Sequence, residues 1–106
     1  MSENTEIAFD VILHAGNGKS LAMEAIDLAE EGRFDEAENK VKEAENETNQ
    51  AHLVHKKLLD RIVNGEDITM NLFLTHSLDH MTSAEDTILN AKRFIRLYKK
   101  MEELKK

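Results

Sequence analysis

The residues most able to do chemistry lie in Thr75–Ser83, "THSLDHMTS", which holds His76, Asp79 and His80 among apolar neighbours. On a helix, residues three and four apart are neighbours, so His76 can touch both Asp79 and His80. A histidine titrates near ~6.5 and therefore offers a free imidazole nitrogen at pH 7. Three uses fit this spacing: a nucleophile with groups nearby to orient it, a pair of metal ligands, or a hydrogen-bonded histidine pair in a polar core. For zinc, His76 and His80 have the spacing of two ligands on one helical face, and His52 and His55 could add more. Yet no glutamate follows His76 directly, so the metalloprotease pattern is missing. Asn49 and Phe73 stand where a di-metal Glu-x-x-His pair would need glutamate. Protein-ligated zinc therefore ranks below the other two.

Three helices are expected to position these groups. Gly32 and Gly65 each follow a helix-periodic segment and are candidate C-terminal caps. The first helix is expected over about Thr5–Glu31, the second over about Phe34–Asn64 and the third over about Asn71–Leu104, with ends good to about 2–4 residues. In the second, Phe34, Ala37, Val41, Ala44, Thr48, Ala51, His55, Leu58 and Ile62 form an unbroken heptad seam. The first carries two adjoining stripes, from Ile7 to Leu28 and from Ala8 to Ala29, a wide face rich in small residues. In the third, Met81, Ala84, Ile88, Ala91, Ile95 and Tyr98 read as core. Beside them runs a stripe apolar at both ends and polar between: Phe73, His76, His80, Ser83, Thr87, Asn90, Phe94, Leu97 and Met101. That pattern predicts a helix–helix seam around a buried polar site. Short connections make the helices antiparallel neighbours. The fold class is all-α: one domain over residues 1–106, a three-helix up-down-up bundle. The second stripe then needs a partner, which predicts a symmetric homo-oligomer with the third helix near the contact.

The remaining histidines read as structural. His52 and His55 suit an interhelix hydrogen bond, and His14 suits packing. Gly16 and Gly18 inside a helix cost roughly 1 kcal/mol each relative to alanine, which points to close backbone approach or a kink. "GNGKS" lacks the spacing and the preceding strand of a phosphate loop.

Composition narrows the partners. The net charge of −7 disfavours nucleic acid and anionic membranes. The absence of cysteine excludes disulfides, thiolate metal sites and cysteine catalysis. With no signal pattern and no membrane-length apolar run, the cytoplasm is the expected location.

Three blocks, in order along nearly the whole chain, resemble the lactose/cellobiose family of enzyme IIA of the bacterial phosphoenolpyruvate-dependent sugar phosphotransferase system. "HAGNGKSLAMEAIDLAEEGRFDEA" resembles the family's Ala-Gly-x-(Ala)-Arg-Ser segment with its following Glu-Ala and Gly-x-Phe. "QAHLVHKKLLDRIVNGE" resembles its Ala-His-x-x-Gln segment ending in Gly-Glu, and "HSLDHM" its His-(Ala/Gly)-Gln-Asp-His-Leu-Met motif. The resemblance implies a homotrimer, a nine-helix bundle. It implies that His76 is phosphorylated by HPr and passes the group to a cysteine of the cognate enzyme IIB during uptake of a β-disaccharide of the cellobiose, lactose or chitobiose type. His80 matches the motif's second histidine, a supporting role. Asp79 matches an aspartate near the trimer axis, where one copy from each subunit can bind a divalent cation. An oxygen-only site suits structural Mg2+, and no organic cofactor is implied. Contact with the membrane would be indirect, through the sugar-specific IIC component.

Four positions depart from the family pattern. Leu78 and His55 stand where the motifs carry glutamine, and Gly18–Lys19 replace alanine and arginine. Two rival functions remain. One is a non-catalytic helical scaffold or regulatory bundle with the histidines as polar core. The other is a two-component histidine phosphotransfer domain, which would need a lysine and glycine just after the histidine.

Overall fold

The computed structural model describes residues 3–64 and 71–105. It contains three helices: α1 (Glu3–Glu30), α2 (Phe34–Val63) and α3 (Asn71–Leu104). The bounds agree with those expected from periodicity to within two residues. The helices form a rod of about 61 × 17 × 16 Å, as three helices of this length must when they pack side by side.

The α1–α2 turn shows why α1 stops. Gly32 sits at φ +78°, a left-handed conformation that glycine adopts without a Cβ penalty. Its N–H donates to the Ala29 carbonyl (3.0 Å) and the next N–H, of Arg33, reaches back to the Leu28 carbonyl (3.0 Å). This paired closure satisfies carbonyls that the helix end would leave orphaned. Asp35 and Glu36 in the first turn of α2 then favour its positive dipole end. The other expected cap, Gly65, lies outside the described residues.

The core is narrow and built largely of alanine. The α2 seam is buried from Ala37 through Val41, Ala44, Thr48, Ala51 and His55 to Leu58. It faces Ala8, Val11, Ala15, Ala22, Ala25 and Ala29 of α1, and Met81, Ala84, Ile88, Ala91 and Ile95 of α3. Small side chains let the helix axes approach closely, so modest side chains still exclude water along the rod.

The two helical glycines differ. A Cβ on Gly18 would lie 3.0 Å from Thr48 Cγ2 and 3.2 Å from the Ala44 carbonyl oxygen, whereas one on Gly16 would meet nothing within 4 Å. Close approach thus explains Gly18 and not Gly16. Thr48 cannot yield easily, because it is buried and its hydroxyl donates to the Glu45 carbonyl. Gly16→Ala should therefore raise stability by about 0.5–1 kcal/mol through helix propensity. Gly18→Ala should lower it, because overpacking typically costs about 1–3 kcal/mol and outweighs the same propensity gain. Thermal unfolding of the two variants beside the wild type should give Tm changes of opposite sign.

Candidate functional site

The histidine pair lies on the flank of α3 that looks toward α1. One helical turn separates His76 from His80, and their rings meet edge to face, with centroids 4.6 Å apart and planes at 89°. The two Nε2 atoms are 3.3 Å apart, so one ring donates its N–H and the other accepts. His76 is exposed and His80 half-buried. At one end of this open flank Phe9 of α1 packs edge-on against Phe73 at 5.9 Å. At the other, Lys19 Nζ of α1 donates to Ser83 Oγ at 3.0 Å. A cation on the neighbouring helix therefore shares the flank with the histidine pair, a feature the histidine spacing alone did not reveal.

Within one chain the second stripe of α3 is open over much of its length: His76 and Asn90 are exposed, as are Phe94, Leu97 and Met101. The strip α3 buries is the one beside it, which begins at Ser77, itself fully buried. Ser77 was missed as a core position because a hydroxyl reads as polar. Its Oγ donates to the Leu74 carbonyl at 2.8 Å, so it enters the core satisfied. Its spacing of four before Met81 was the available signal.

Asp79 does not join the histidines. Spacing permitted His76 to touch either Asp79 or His80, and the contact formed is with His80. Asp79 points away from the core, is exposed, and lines a cavity of about 360 Å³ on the α2 side with His55, Leu59, Leu74, Thr75 and Leu78. Among the described residues it makes no hydrogen bond or ion pair. No group of three or more His, Cys, Asp or Glu side chains is placed to hold a metal among the described residues. His52 and His55 add nothing to the His76–His80 pair: His52 Nε2 pairs with Glu85 Oε1 at 2.5 Å and His55 faces the cavity.

The other histidines divide. His52 makes the expected interhelix contact. His14 is more than a packing residue, since its Nδ1 lies 2.7 Å from Glu47 Oε2 and its Nε2 3.6 Å from Asp10. His55 departs from expectation: it is only 7% exposed, and its shielded Nε2 has no hydrogen-bond partner among the described residues. Burial pushes its pKa down, and the neighbouring His52 adds to the effect. The folded state then binds fewer protons than the unfolded chain, where histidine titrates near ~6.5. Stability from this site is full above that value and is lost as pH falls through it toward the lowered folded value. Urea unfolding between about pH 7.5 and 5 should show a decline on acidification that is shallower in His55→Gln. Equal slopes in the two proteins would remove His55 as the cause.

Comparisons with known proteins point one way. The family model described as "PTS system, Lactose/Cellobiose specific IIA subunit" matches residues 6–99. The lichenan-specific phosphotransferase enzyme IIA component of Bacillus subtilis (strain 168) is 39% identical over 101 residues, covering 95% of this chain and 92% of that protein. The cellobiose-specific EIIA component of Lactococcus lactis subsp. lactis (strain IL1403) is 40% identical over 78 residues, covering 74% and 67%. The crystal structure of the cellobiose-specific enzyme IIA from Bacillus anthracis superposes with a TM-score of 0.89 at 35% identity, covering 97% of this chain and 94% of that one. A IIA(chitobiose)–HPr complex of the Escherichia coli phosphotransferase system shares the fold, with a TM-score of 0.80 at 24% identity over 96% and 99% of the two chains.

Proposed function

Because the chain belongs to the lactose/cellobiose-specific IIA family of the phosphotransferase system, we propose that it is a cytoplasmic phosphocarrier with His76 as the transient phosphoryl acceptor. The observation that carries this reading is the exposure of His76 on an open flank of α3, with its Nε2 directed at His80. No described helix is long and apolar enough to cross a membrane, so sugar passage falls to other components of the system.

The transfer exchanges one nitrogen–phosphorus bond for another. The bond in the phosphohistidine of HPr breaks as the bond to a His76 nitrogen forms, in line through the phosphorus, and no water takes part. The reaction depends mainly on positioning and on stabilising charge at the three equatorial oxygens. A phosphoryl group bonded at His76 Nε2 would occupy the space His80 now faces, and a His80 N–H would donate to one of its oxygens. The Lys19 ammonium on the same flank would lower the cost of the added negative charge. Delivery to the cognate enzyme IIB would break the nitrogen–phosphorus bond at His76 as a sulfur–phosphorus bond forms on its cysteine, which leaves His76 free to accept again.

Assembly belongs to the same reading. A single chain leaves large apolar side chains exposed on α3, among them Leu78, Leu89, Phe94 and Leu97, which suits burial against further copies in a homotrimer. Each chain offers one Asp79 carboxylate without a partner among the described residues, so a divalent cation such as Mg2+ would need the Asp79 residues of three chains and would act in assembly. The sugar would be a β-linked saccharide, chosen mainly by the membrane component.

The test is incubation with phosphoenolpyruvate, enzyme I and HPr, followed by intact mass, then addition of the cognate enzyme IIB. A gain of about 80 Da that disappears when IIB is added is the expected result. No gain would favour the helical scaffold reading.

A further inference from the structure

The cavity on the α2 side of α3 holds the one buried side chain that no described residue satisfies. His55 is 7% exposed, its Nε2 is shielded from solvent and unpartnered, and it lines this cavity of about 360 Å³ with Leu59, Leu74, Leu78 and Asp79. A buried polar atom without a partner is destabilising, and folded chains rarely keep one without a use. Two of the cavity's residues are also positions where the chain departs from its family's motifs. His55 and Leu78 both stand where glutamine is usual, and the fold brings them together. The apolar exchange at 78 and the imidazole at 55 therefore alter a single place.

Helix geometry says what this place can face. At 3.6 residues per turn, Asp79 projects from α3 opposite the buried strip of Ser77, Ala84 and Ile95. His76 lies on one flank of Asp79 and Leu78 on the other. A cyclic trimer is built from head-to-tail contacts, in which two different patches meet at every interface. If the Asp79 strips of three copies gather at the axis, the His76 flank of each subunit meets the Leu78–His55 flank of the next.

We propose that His55 of one subunit donates its imidazole N–H to the phosphoryl group carried by His76 of the neighbouring subunit. The proposal rests on the trimeric phosphocarrier reading above and deepens it by completing the acceptor site with a second copy. No bond changes at His55: its proton stays on nitrogen while a phosphoryl oxygen accepts the hydrogen bond. Leu59, Leu74 and Leu78 would exclude water from the phosphoramidate and slow its hydrolysis. His55 thereby supplies, from α2, the hydrogen bond that Leu78 cannot make from α3.

The experiment follows uptake from phospho-HPr and spontaneous loss of the phosphoryl group by intact mass. The proteins are the wild type, His55→Leu, His55→Gln, and mixed trimers formed from His55→Leu and His76→Ala chains. Sedimentation reports assembly for each. His55→Leu should still be phosphorylated, with uptake slower or loss faster by about tenfold or more, the effect of one hydrogen bond to a charged group. His55→Gln should stay near wild type, because an amide N–H can serve. In mixed trimers, each His76-bearing subunit whose contributing neighbour is a His76→Ala chain should regain wild-type behaviour, since that neighbour supplies His55. Wild-type kinetics in His55→Leu would overturn the proposal. So would a defect that mixing does not restore, or a glutamine variant as impaired as leucine while still trimeric. A wild-type chain that takes up no phosphoryl group would instead overturn the phosphocarrier reading on which the proposal rests.

Discussion

His76→Ala should gain no mass under conditions in which the wild-type chain gains about 80 Da, a complete loss and not a slowed reaction. The other histidines cannot take over. His14 and His52 hold carboxylates on neighbouring helices at 2.7 and 2.5 Å, and His55 is only 7% exposed on the opposite side of α3 from the His76 flank. His80 shares the open flank, but it is half-buried where His76 is exposed. His80→Ala should therefore still reach the full mass gain, with uptake slowed about tenfold by loss of one hydrogen bond to a charged group. The contrast between neighbouring imidazoles is what identifies the acceptor, because general destabilisation of α3 would impair both variants alike. An equal mass gain in His76→Ala and wild type would remove His76 from the role.

The fold was legible because its signals are local and mutually consistent. The α2 seam from Ala37 to Leu58 keeps its spacing of three and four without interruption, and every member of it between those residues is buried, Thr48 and His55 included. Gly32 ends α1 for a reason that any sequence reader can apply, since φ +78° suits a residue without a Cβ. The glycines inside α1 show the limit of such reading. Both weaken the helix by the same amount, yet only Gly18 faces another backbone, because the Ala44 carbonyl happens to cross there. Which of two nearby glycines meets a neighbouring helix depends on the rotation of the whole helix, and composition does not fix that.

The contact between His76 and His80 was legible in the sequence, and the rest of the candidate site's geometry less so. Spacing brought His76 and His80 together correctly, since residues four apart must stack on a helix. It also allowed His76 to meet Asp79, and the folded chain turns Asp79 toward the α2 side. Partners drawn from other helices were out of reach: nothing in "THSLDHMTS" specifies that Lys19 of α1 lies near Ser83, or that Glu47 and Glu85 hold His14 and His52. The heptad seam placed His55 in the interior, but whether its nitrogen would find a partner was decided by what α3 presents opposite it, namely Leu74 and Leu78 with Asp79 beyond.

Asp79→Leu should produce a trimer that dissociates only at protein concentrations at least tenfold lower than the wild type, while uptake of the phosphoryl group at His76 survives. Asp79 is exposed and has no partner among the described residues. It lies beside Leu78 and on the same outward side of α3 as Leu89, both largely exposed. Gathering three such strips buries apolar surface, which favours assembly, and brings three carboxylates together, which opposes it. Leucine keeps the first contribution and removes the second. A divalent cation among the three carboxylates would offset the repulsion in the wild type, so a chelator should weaken the wild-type trimer and leave Asp79→Leu unchanged. Sedimentation equilibrium over a dilution series, with and without chelator, reads both effects, and a monomer for both proteins at every concentration would remove Asp79 from any axial role. Phosphorylation separates assembly from chemistry: His76 makes its contact with His80 on a different flank, so a leucine at 79 that strengthens the trimer and preserves transfer places Asp79 in the assembly alone. Loss of transfer in a well-formed Asp79→Leu trimer would instead mean that the carboxylates at the axis set the geometry of the neighbouring acceptor site.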